Sequence, residues 1–452
     1  MENKTLFFFK QLAKIPRESG HEQQVCDYLC NFAIERNLEF ICDNYKNVII
    51  KKKNCEKKPI ILQAHTDMVC EKKENTKFNF KTDSINIIEE NGYLKAHQTS
   101  LGADNGIGVA QILNILDSNI PCNIEAVFTS EEETTMNGAI NLDITCLKAK
   151  HMINLDGFED NTIIIESASF YDLLMHCNYK TTSPSNNNYF KIELNGLLGG
   201  HSGFDIDKNR GNSAIILANL LLKVDDIKLV NFNGGTKFNV IPSSASCLFA
   251  TSLSQFEIEK IINNFNKSAY PNLSLKINPS IINNVYTNND SKQFLNIISN
   301  FPHGVYIKHN NIVTTSINLG VVDLENNILK IGMRSSKKKE ETTCLNKLKK
   351  YSLNNNMNFE ILGFQPGFES SKNSTLVNLL KQTSPKEYFK KDPTLKAVHF
   401  TVEAGFFKDK IPNLDLVIIS PKIENAHSIN EQVAINSILA TDQWLEIFLN
   451  TF

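Results

Sequence analysis

Apolar runs typical of buried strands alternate with helical patterns along the first part of the chain. The strand-like runs are NVIIKKK, PIILQAH, NIEAVFTS and KHMINLD, and the helical patterns include HEQQVCDYLCNFAIERN and GIGVAQILNILDSN. Strands and helices in alternation indicate helices packed against a sheet. The pattern therefore predicts an α/β sandwich over residues 1–185.

The pattern changes after residues 178–190, NYKTTSPSNNNYF, a turn-rich segment that indicates a junction between two regions. From there to residue 366, the strand patterns FKIELNGLLGG, ASCLFATSL and LKIGMRSS are mixed with the helical patterns NSAIILANLLLKV and FEIEKIINNFN. This mixture predicts a compact α+β region over residues 186–366. The tracts SKKKEETT and SLNNNMN are predicted to be solvated loops or helix faces.

The length and the charge balance of the chain restrict the kinds of partner. The 452 residues, 41% of them hydrophobic, suffice for two domain cores. The 47 Lys and Arg residues nearly balance the 49 Asp and Glu residues, which leaves a net charge of −2. This balance gives no electrostatic basis for binding nucleic acid or an anionic membrane. We therefore expect a small-molecule partner.

The cysteines and the N-terminal pattern bear on the compartment. The ten cysteines form no C-x-x-C pair and no regular framework, so they are predicted to be reduced thiols. The apolar positions near the N-terminus fall far short of a membrane span, and no signal peptide is recognisable. The predicted location is the cytoplasm.

Acidic and histidine side chains stand where the predicted strands and helices end. His65 and Asp67 are two residues apart at the end of one strand, so both side chains point the same way. The others are Asp104 in LGADNGIGVA, Glu131, Glu132 and Glu133 in VFTSEEETTMNGA, Asp156 in MINLDGFED and His427 in ENAHSINEQV. Ligands bind outside the carboxyl ends of strands in open α/β sheets, so these groups are predicted to converge.

Such a set of side chains suits a pair of divalent metal ions. Two imidazoles and three carboxylates match the nitrogen and oxygen donors that zinc prefers, and one carboxylate can bridge two ions about 3.5–4 Å apart. Manganese and cobalt are alternatives for a carboxylate-rich site. Each residue alone has an ordinary explanation, since Asp-Gly and Asp-Asn form turns and acid runs begin helices. Only their combination predicts two metals.

Six motifs in order resemble those of one family: AHTDMV, LGADNGIGVA, EEETTMNGA, INLDG, GGHSG and HSINEQV. They are similar to motifs of the dinuclear zinc metallopeptidases, which include carboxypeptidase G2, aminoacylases and cytosolic dipeptidases. The segments IPRESGHEQQ, GGHSGFDIDKNRGN and HFTVEAGFF are most similar to the aminoacyl-histidine (Xaa-His) dipeptidase branch. The resemblance implies a catalytic domain of residues 1–185 and 367–452, interrupted by a lid or dimerisation domain of residues 186–366. A homodimer is an implied assembly.

The resemblance also assigns the metal ligands. It makes Asp104 the bridging carboxylate, with His65 and Asp156 completing the site of one ion. Glu133 and His427 complete the other.

The general base implied by the resemblance is Glu132, and this assignment depends on the register of three consecutive glutamates. Aligning the family motif through Met136, Gly138 and Ala139 makes Glu132 the base and Glu133 the ligand, although Thr135 replaces a usual glycine. A shift by one residue would instead make Glu131 the base and Glu132 the ligand.

Two residues are predicted to act beside the metals. Asp67 is expected to accept the remaining N–H of metal-bound His65 and so fix its tautomer. His201 in GGHSG is the implied donor to the oxyanion of the reaction, either from its own chain or from a partner subunit. An ordinary loop histidine is the alternative for His201.

The resemblance places three residues against the substrate. Arg334 is predicted to bind a C-terminal carboxylate, Asn239 the substrate backbone and Glu403 the free amine of a dipeptide. His399 lies in the same pocket region as Glu403. This stretch is usually smaller and richer in glycine in the branch, so residues 400–402 leave the pocket shape open.

The predicted function is hydrolysis of the peptide bond of dipeptides, with Xaa-His as the expected class. An aminoacylase or a carboxypeptidase of the same family is an alternative, and so is a metal-binding regulator without catalysis. The regulator is disfavoured because every ligand position and the base position carry competent residues. Nucleotide binding at GADNGIG is excluded because its glycine spacing differs from G-x-G-x-x-G.

Overall fold

The computed structural model describes residues 3–179, 181–182, 188–265, 268–280, 285–371 and 373–452. The chain divides into two compact units. The first consists of Met1–Ser167, Pro366–Ala397 and Val402–Phe452, and the second of Ala168–Gln365 and Val398–Thr401. Within the described residues, no helix is both long and apolar enough to cross a membrane.

The strands are numbered in chain order. They are β1 (Glu39–Cys42), β2 (Val48–Lys52), β3 (Ile60–His65), β4 (Ile87–Glu90), β5 (Tyr93–Ala96), β6 (Ile124–Thr129), β7 (His151–Asn154), β8 (Thr162–Ser167), β9 (Ser169–His176), β10 (Thr181–Thr182), β11 (Asn188–Asn195), β12 (Gly200–His201), β13 (Lys228–Gly234), β14 (Val240–Ile241), β15 (Ala245–Thr251), β16 (Ser274–Pro279), β17 (Val285–Tyr286), β18 (Gly304–His309), β19 (Ile312–Asp323), β20 (Ile328–Ser335), β21 (Asn358–Gln365), β22 (Phe368–Glu369), β23 (Thr394–Val398), β24 (Asp415–Ile418), β25 (Ile423–Glu424) and β26 (Gln432–Ala434).

The helices are numbered in the same way. They are α1 (Lys4–Leu12), α2 (Gln23–Glu35), α3 (Ala103–Leu116), α4 (Asn137–Asn141), α5 (Ser202–Asp205), α6 (Ser213–Leu221), α7 (Gln255–Asn263), α8 (Asn288–Ser299), α9 (Lys338–Asn354), α10 (Thr375–Thr383), α11 (Lys386–Phe389), α12 (Ala404–Lys410) and α13 (Ile435–Thr451).

The first unit is built on a sheet in the order β1-β2-β6-β3-β7-β24-β8-β22, with β23 also paired to β8. Its central strands are parallel: β3 runs alongside β6 and β7, and β24 runs alongside β7. Every residue of β3 and β6 is buried, as expected for parallel strands covered on both faces. Helical residues such as Phe9, Ile112 and Trp444 complete the core. The predicted α/β fold is confirmed.

A second, smaller sheet of the first unit was not predicted. Its strands pair in the order β25-β26-β5-β4. This sheet pairs residues 87–96 with residues 423–434, which lie before and after the second unit in the sequence. Strand β26 leads directly into α13.

The second unit contains an antiparallel sheet in the order β16-β11-β15-β13-β19-β20-β9-β21, with β18 paired to β19. Helices α6, α8 and α9 contribute buried residues such as Leu217, Phe294 and Leu348 to its core. Asn212 caps α6 by accepting hydrogen bonds from the N–H groups of Ala214 and Ile215. The mixture of strands and helices is the α+β arrangement predicted from the sequence.

The division between the units lies earlier in the chain than residue 186, where the sequence placed it. Strand β9 pairs with β20 and β21, so the second unit begins at Ala168. The turn-rich segment 178–190 lies within this unit, and its residues 180 and 183–187 fall outside the described residues. The short segment Val398–Thr401 also belongs to the second unit.

Candidate metal centre

The parallel strands deliver the predicted side chains to one edge of the first sheet. His65 is the last residue of β3 and is paired with Thr129, the last residue of β6. The three glutamates follow β6, and Asp156 follows β7 by two residues. Because the carboxyl ends of parallel strands meet at one edge, these groups converge as expected. Asp104 joins them from the first turn of α3.

Asp104 lies between two histidines and presents one oxygen to each. Its Oδ1 atom is 3.2 Å from His65 Nε2, and its Oδ2 atom is 3.0 Å from His427 Nε2. The peptide bond between Asp104 and Asn105 is cis. A carboxylate with a different imidazole at each oxygen has the geometry of a ligand that bridges two metal ions.

The remaining acids complete two groups that share Asp104. His65 Nε2 is 3.8 Å from Asp156 Oδ1, and His427 Nε2 is 2.9 Å from Glu133 Oε1. The ligand atoms within each group lie within 4.8 Å of one another. Glu132 forms a further group of this kind with His65 and Glu133. The donor types and spacing fit two divalent cations held by imidazole nitrogens and carboxylate oxygens.

The electrostatics of the cluster support the same fit. Burial and the charge of Asp104 raise the pKa of Asp156 and that of Glu133 above their usual range. Burial also raises the pKa of Glu132, against the opposing effect of His65. Asp104 is the exception: burial would raise its pKa, but hydrogen bonds from His427 and His65 hold it well below the usual range. Cations would relieve the crowding of these carboxylates.

The structure distinguishes Glu131 from the next two glutamates. Glu131 has a left-handed backbone, with φ at 56°. Its carboxylate accepts hydrogen bonds from Thr135 Oγ1 at 2.6 Å and from Asn137 Nδ2 at 3.1 Å. Glu132 and Glu133 instead belong to the group around His65. This geometry favours the register with Glu132 as base and Glu133 as ligand.

Asp67 makes more contacts than the sequence indicated. Its Oδ1 atom lies 3.3 Å from His65 Nδ1. Its two carboxylate oxygens also accept the backbone N–H groups of Glu132 and Glu133, at 3.0 and 3.1 Å, and the hydroxyl of Ser19 at 2.7 Å. Burial would raise the pKa of Asp67, but His65 and these donors hold it below the usual value. Asp67 thus positions both the histidine and the glutamate loop.

Two buried charged residues that support the site were missed by sequence reasoning. Arg17 donates to the carbonyl groups of Thr66 and Asp67, at 3.1 and 3.2 Å. Glu431 accepts the backbone N–H groups of Leu101, Gly102 and Asp104, at 2.7, 2.8 and 3.1 Å. Arg17 lies in the motif IPRES and Glu431 in the motif HSINEQV, both of which carry the family resemblance. Their place in these motifs is the sequence feature that could have identified them.

Glu403 lies directly before α12 and is fully buried. Its Oε1 atom accepts hydrogen bonds from Gln63 Nε2 and Thr129 Oγ1, at 2.5 and 2.6 Å. Its Oε2 atom has no hydrogen-bond partner among the described residues. Burial raises the pKa of Glu403 to about 7. Its charge acts on Asp156 and Glu132, so it is close to the acidic cluster.

The second unit gathers other predicted residues around Arg334. This buried guanidinium donates from Nη1 to Thr401 Oγ1 at 2.9 Å and from Nε to Ser202 Oγ at 3.3 Å. It also lies over the ring of Phe170, at 4.3 Å from the centroid. Its Nη2 atom is 3.4 Å from His201 Nε2. Burial lowers the pKa of Arg334 to about 9, against the charge of Asp172.

His201 is oriented by its own loop. Its Nδ1 atom accepts the N–H of Gly203 at 3.2 Å, which favours the neutral tautomer with the proton on Nε2 over the one in which Nε2 accepts from Arg334 at 3.4 Å. This N–H and the Arg334 guanidinium are two donors close together, an arrangement that an anionic acceptor would stabilise. Asn239 belongs to the same region, because its carbonyl accepts the N–H of Ser202 at 2.8 Å.

His399 is also part of the second unit. Its Nε2 atom lies 2.7 Å from Ser316 Oγ. Burial lowers its pKa to about 3, and the charges of Arg334 and His201 act in the same direction. The Phe400 ring packs against the Phe204 ring at a tilt of 30°, with ring centroids 4.7 Å apart. The Phe400 ring stands where the resemblance led us to expect a small residue.

An α/β unit that gathers two histidines and several buried carboxylates at the carboxyl edge of parallel strands has the kind of site found in metal-dependent hydrolases. The model of Peptidase family M20/M25/M40 matches residues 61–451. The chain belongs to this peptidase family.

Individual relatives agree with this assignment. The cytosol non-specific dipeptidase of Escherichia coli (strain K12) is 32% identical over 461 aligned positions, which cover 95% of this chain and 93% of that protein. The crystal structure of aminoacylhistidine dipeptidase from Vibrio alginolyticus superposes with a TM-score of 0.84 at 27% identity, covering 99% of this chain and 96% of the other.

A more distant structure shares the fold alone. It is a Bacillus subtilis protein described as a dinuclear metal binding peptidase of the M20 family, with a TM-score of 0.50 at 11% identity, covering 99% of this chain and 96% of the other.

Proposed function

We propose that this protein is a metal-dependent dipeptidase that hydrolyses unblocked dipeptides, with Xaa-His dipeptides as the preferred class. The observation that carries the proposal is the position of Asp104, which has one oxygen beside His65 and the other beside His427. Two groups that share this carboxylate suit two divalent ions. The names of the Escherichia coli and Vibrio alginolyticus relatives support dipeptides as substrates.

Zinc is the ion proposed for both positions of the site. His65, Asp104 and Asp156 would hold one, and Asp104, Glu133 and His427 the other. When bound, such ions acidify a water molecule and polarise the scissile carbonyl group.

The residues of the chain move the protons. Glu132 accepts a proton as the water oxygen attacks the carbonyl carbon, and it delivers this proton to the leaving nitrogen as the C–N bond breaks. Burial raises the pKa of Glu132, which favours retention of the proton until it reaches the leaving nitrogen. His201, with its proton on Nε2, is the proposed donor to the oxyanion.

The proposed specificity depends on contacts of the protein with both charged ends of a dipeptide. The free amine would pair with Glu403, whose Oε2 atom is buried without a partner, and the carboxylate with the Arg334 guanidinium. Asn239 is proposed to bind the backbone of the substrate. A blocked amine would lose the contact with Glu403, which separates a dipeptidase from an aminoacylase.

The test is a hydrolysis assay on metal-reconstituted protein. Ala-His is compared with N-acetyl-Ala-His and with a dipeptide that lacks histidine, each with and without a chelator. Chelator-sensitive cleavage of the free dipeptides is the expected result, with Ala-His cleaved faster than the other. Cleavage of the acetylated compound alone would assign an aminoacylase, and no cleavage with two metals bound would assign a regulator.

Two further sequence predictions stay predictions. A homodimer is expected, and sedimentation analysis of the metal-loaded protein checks it. A cytoplasmic location is proposed because the relative from Escherichia coli is named a cytosol dipeptidase.

A further inference from the structure

Three cysteines outside the metal centre converge beside an edge strand of the first sheet. Cys26 and Cys30 are four residues apart on α2, so they share one helix face, and Cys42 is the last residue of β1. Their Sγ atoms all lie within 4.8 Å of one another, and those of Cys26 and Cys42 are 3.0 Å apart. All three are free thiols.

The chain reversal after α2 produces this convergence. At about 1.5 Å per residue, the helix extends about 13 Å from Cys26 to its end at Glu35. Strand β1 then returns about 10 Å to Cys42. The reversal is closed by the Leu38 N–H, which donates to the Ala33 carbonyl at 3.0 Å. Cys42 is thereby brought back beside the first turns of α2.

The three thiols form a gradient from the core to the surface. Cys26 is buried in the core of the first unit, Cys30 is half-buried and Cys42 is exposed. The cluster is therefore open to solvent on the side of Cys42.

We propose that Cys26, Cys30 and Cys42 form a three-thiolate site for a soft monovalent cation of the Cu⁺ type, separate from the dinuclear centre. Thiolates select soft cations. Three sulphurs placed about 2.3 Å from a central ion would be about 4 Å apart, which requires only small shifts from the observed positions. The described residues add no histidine or carboxylate to this group, so it lacks the fourth protein ligand of a structural zinc site.

The environment of the thiols slows redox exchange. Burial raises the pKa of the Cys26 thiol, and the neighbouring Cys42 adds to the increase. Burial also raises the pKa of Cys30 to about 11. A small thiolate fraction slows thiol–disulfide exchange. A bound cation deprotonates the thiols that coordinate it, so its binding releases protons and strengthens as the pH rises.

The test is a Cu⁺ titration of the full-length protein with its divalent ions bound, in anaerobic reducing buffer, against a chromophoric Cu⁺ chelator. The wild type is expected to take up one tightly bound equivalent with sulphur-to-copper absorption in the ultraviolet. Cys30→Ser and Cys42→Ser should each weaken this binding more than about tenfold, since even indirect partners of a metal ligand are worth 10–100-fold in affinity. Cys146→Ser, another half-buried thiol of the same unit, is the matched control and should bind as the wild type does.

Two results would overturn the proposal. One is the same Cu⁺ affinity for the wild type, Cys30→Ser and Cys42→Ser. The other is a Cys26–Cys42 disulfide found by peptide mapping of protein kept in reducing buffer. Both substituted positions reach solvent, so the variants are expected to fold, and their thermal transitions by circular dichroism verify this.

Discussion

Each unit of this protein holds a largely buried polar cluster, and the two clusters have opposite charge. In the first unit, carboxylates outnumber the imidazoles; the members are His65, Asp104, Glu132, Glu133, Asp156 and His427. In the second unit, cationic and neutral nitrogen groups gather among hydroxyls; the members are His201, Ser202, Ser316, Arg334, His399 and Thr401.

The charge of each cluster indicates the charge of the ligand that would stabilise it. Buried groups of like charge are costly unless a partner of opposite charge is present. The acidic cluster therefore suits cations, since burial and the charge of Asp104 raise the pKa values of Asp156 and Glu133. The basic cluster suits an anion, since burial lowers the pKa values of Arg334 and His399.

The largest expected effect concerns the one acid that we assign to proton transfer rather than metal binding. Glu132→Gln keeps the size of the side chain but removes its basicity. We expect kcat to fall about 10²–10⁴-fold, the range associated with a lost general base. The content of divalent metal, measured by elemental analysis, should stay at the wild-type value.

Glu131→Gln is the matched control for this substitution. The Glu131 carboxylate is already bound to Thr135 and Asn137, so its change should leave kcat near the wild-type value. If Glu131→Gln abolished turnover while Glu132→Gln retained it, the register of the glutamates would be shifted by one residue. Our division of the acidic cluster into ligands and base would then be wrong.

A second substitution examines the basic cluster. Arg334→Lys keeps the charge but loses the fork that binds a carboxylate at two points. Hydrogen bonds to charged groups are worth about 1.5–3 kcal/mol, so kcat/KM for a free dipeptide should fall about 10–150-fold. The value for the corresponding dipeptide amide, which has no carboxylate, should change little.

Arg210→Lys provides the comparison within the same unit. Arg210 is already paired with Asp205 at 2.7 Å and with the Gly199 carbonyl at 3.0 Å. We expect less than about a threefold change for it, as for other partly exposed ion pairs. Equal losses on the dipeptide and its amide with Arg334→Lys would show that this cluster does not bind the carboxylate.

The fold was predictable where local pattern and burial coincide. Strands β3 and β6 are continuous apolar runs because both faces are covered. Strand β4 is mostly exposed, and its short IIEE sequence has no period that identifies a strand. The boundary was misplaced because β9 is assigned to the second unit by its pairing with β20 and β21, which are distant in sequence.

The candidate site was predictable for the residues that carry chemistry in their side chains. Histidines and acids at strand ends are visible in the sequence, and their motifs add the register. Arg17 and Glu431 bind backbone carbonyl and N–H groups, which every residue has. No sequence pattern shows which backbone groups a distant side chain will contact, so these supports required the structure.

A third substitution tests how the acidic cluster is held in place. Asp67→Asn removes the charge beside His65 and weakens the anchor of the Glu132 and Glu133 N–H groups. We expect metal affinity to fall about 10–100-fold, the usual cost of changing a residue that orients a ligand. Competition with a chelating indicator measures this. Ser19→Ala removes one donor to Asp67 and should cost less; an equal loss for both would assign the effect to local folding.

The smallest expected effect is a difference in pH dependence between the wild type and His399→Gln. The pKa of His399 is about 3 in the folded protein, below its ordinary value of 6.5, so the unfolded chain binds the extra proton as the pH falls. Stability is thus fully present above pH 6.5 and declines below it. Between pH 7 and 5, the wild type should lose about 2 kcal/mol more than His399→Gln, as measured by urea unfolding at each pH. His176→Gln, at a half-buried position of the same unit, should retain the wild-type slope. If His399→Gln retained it too, protonation of the basic cluster would carry no penalty, and the charge contrast between the two clusters would fail on this side.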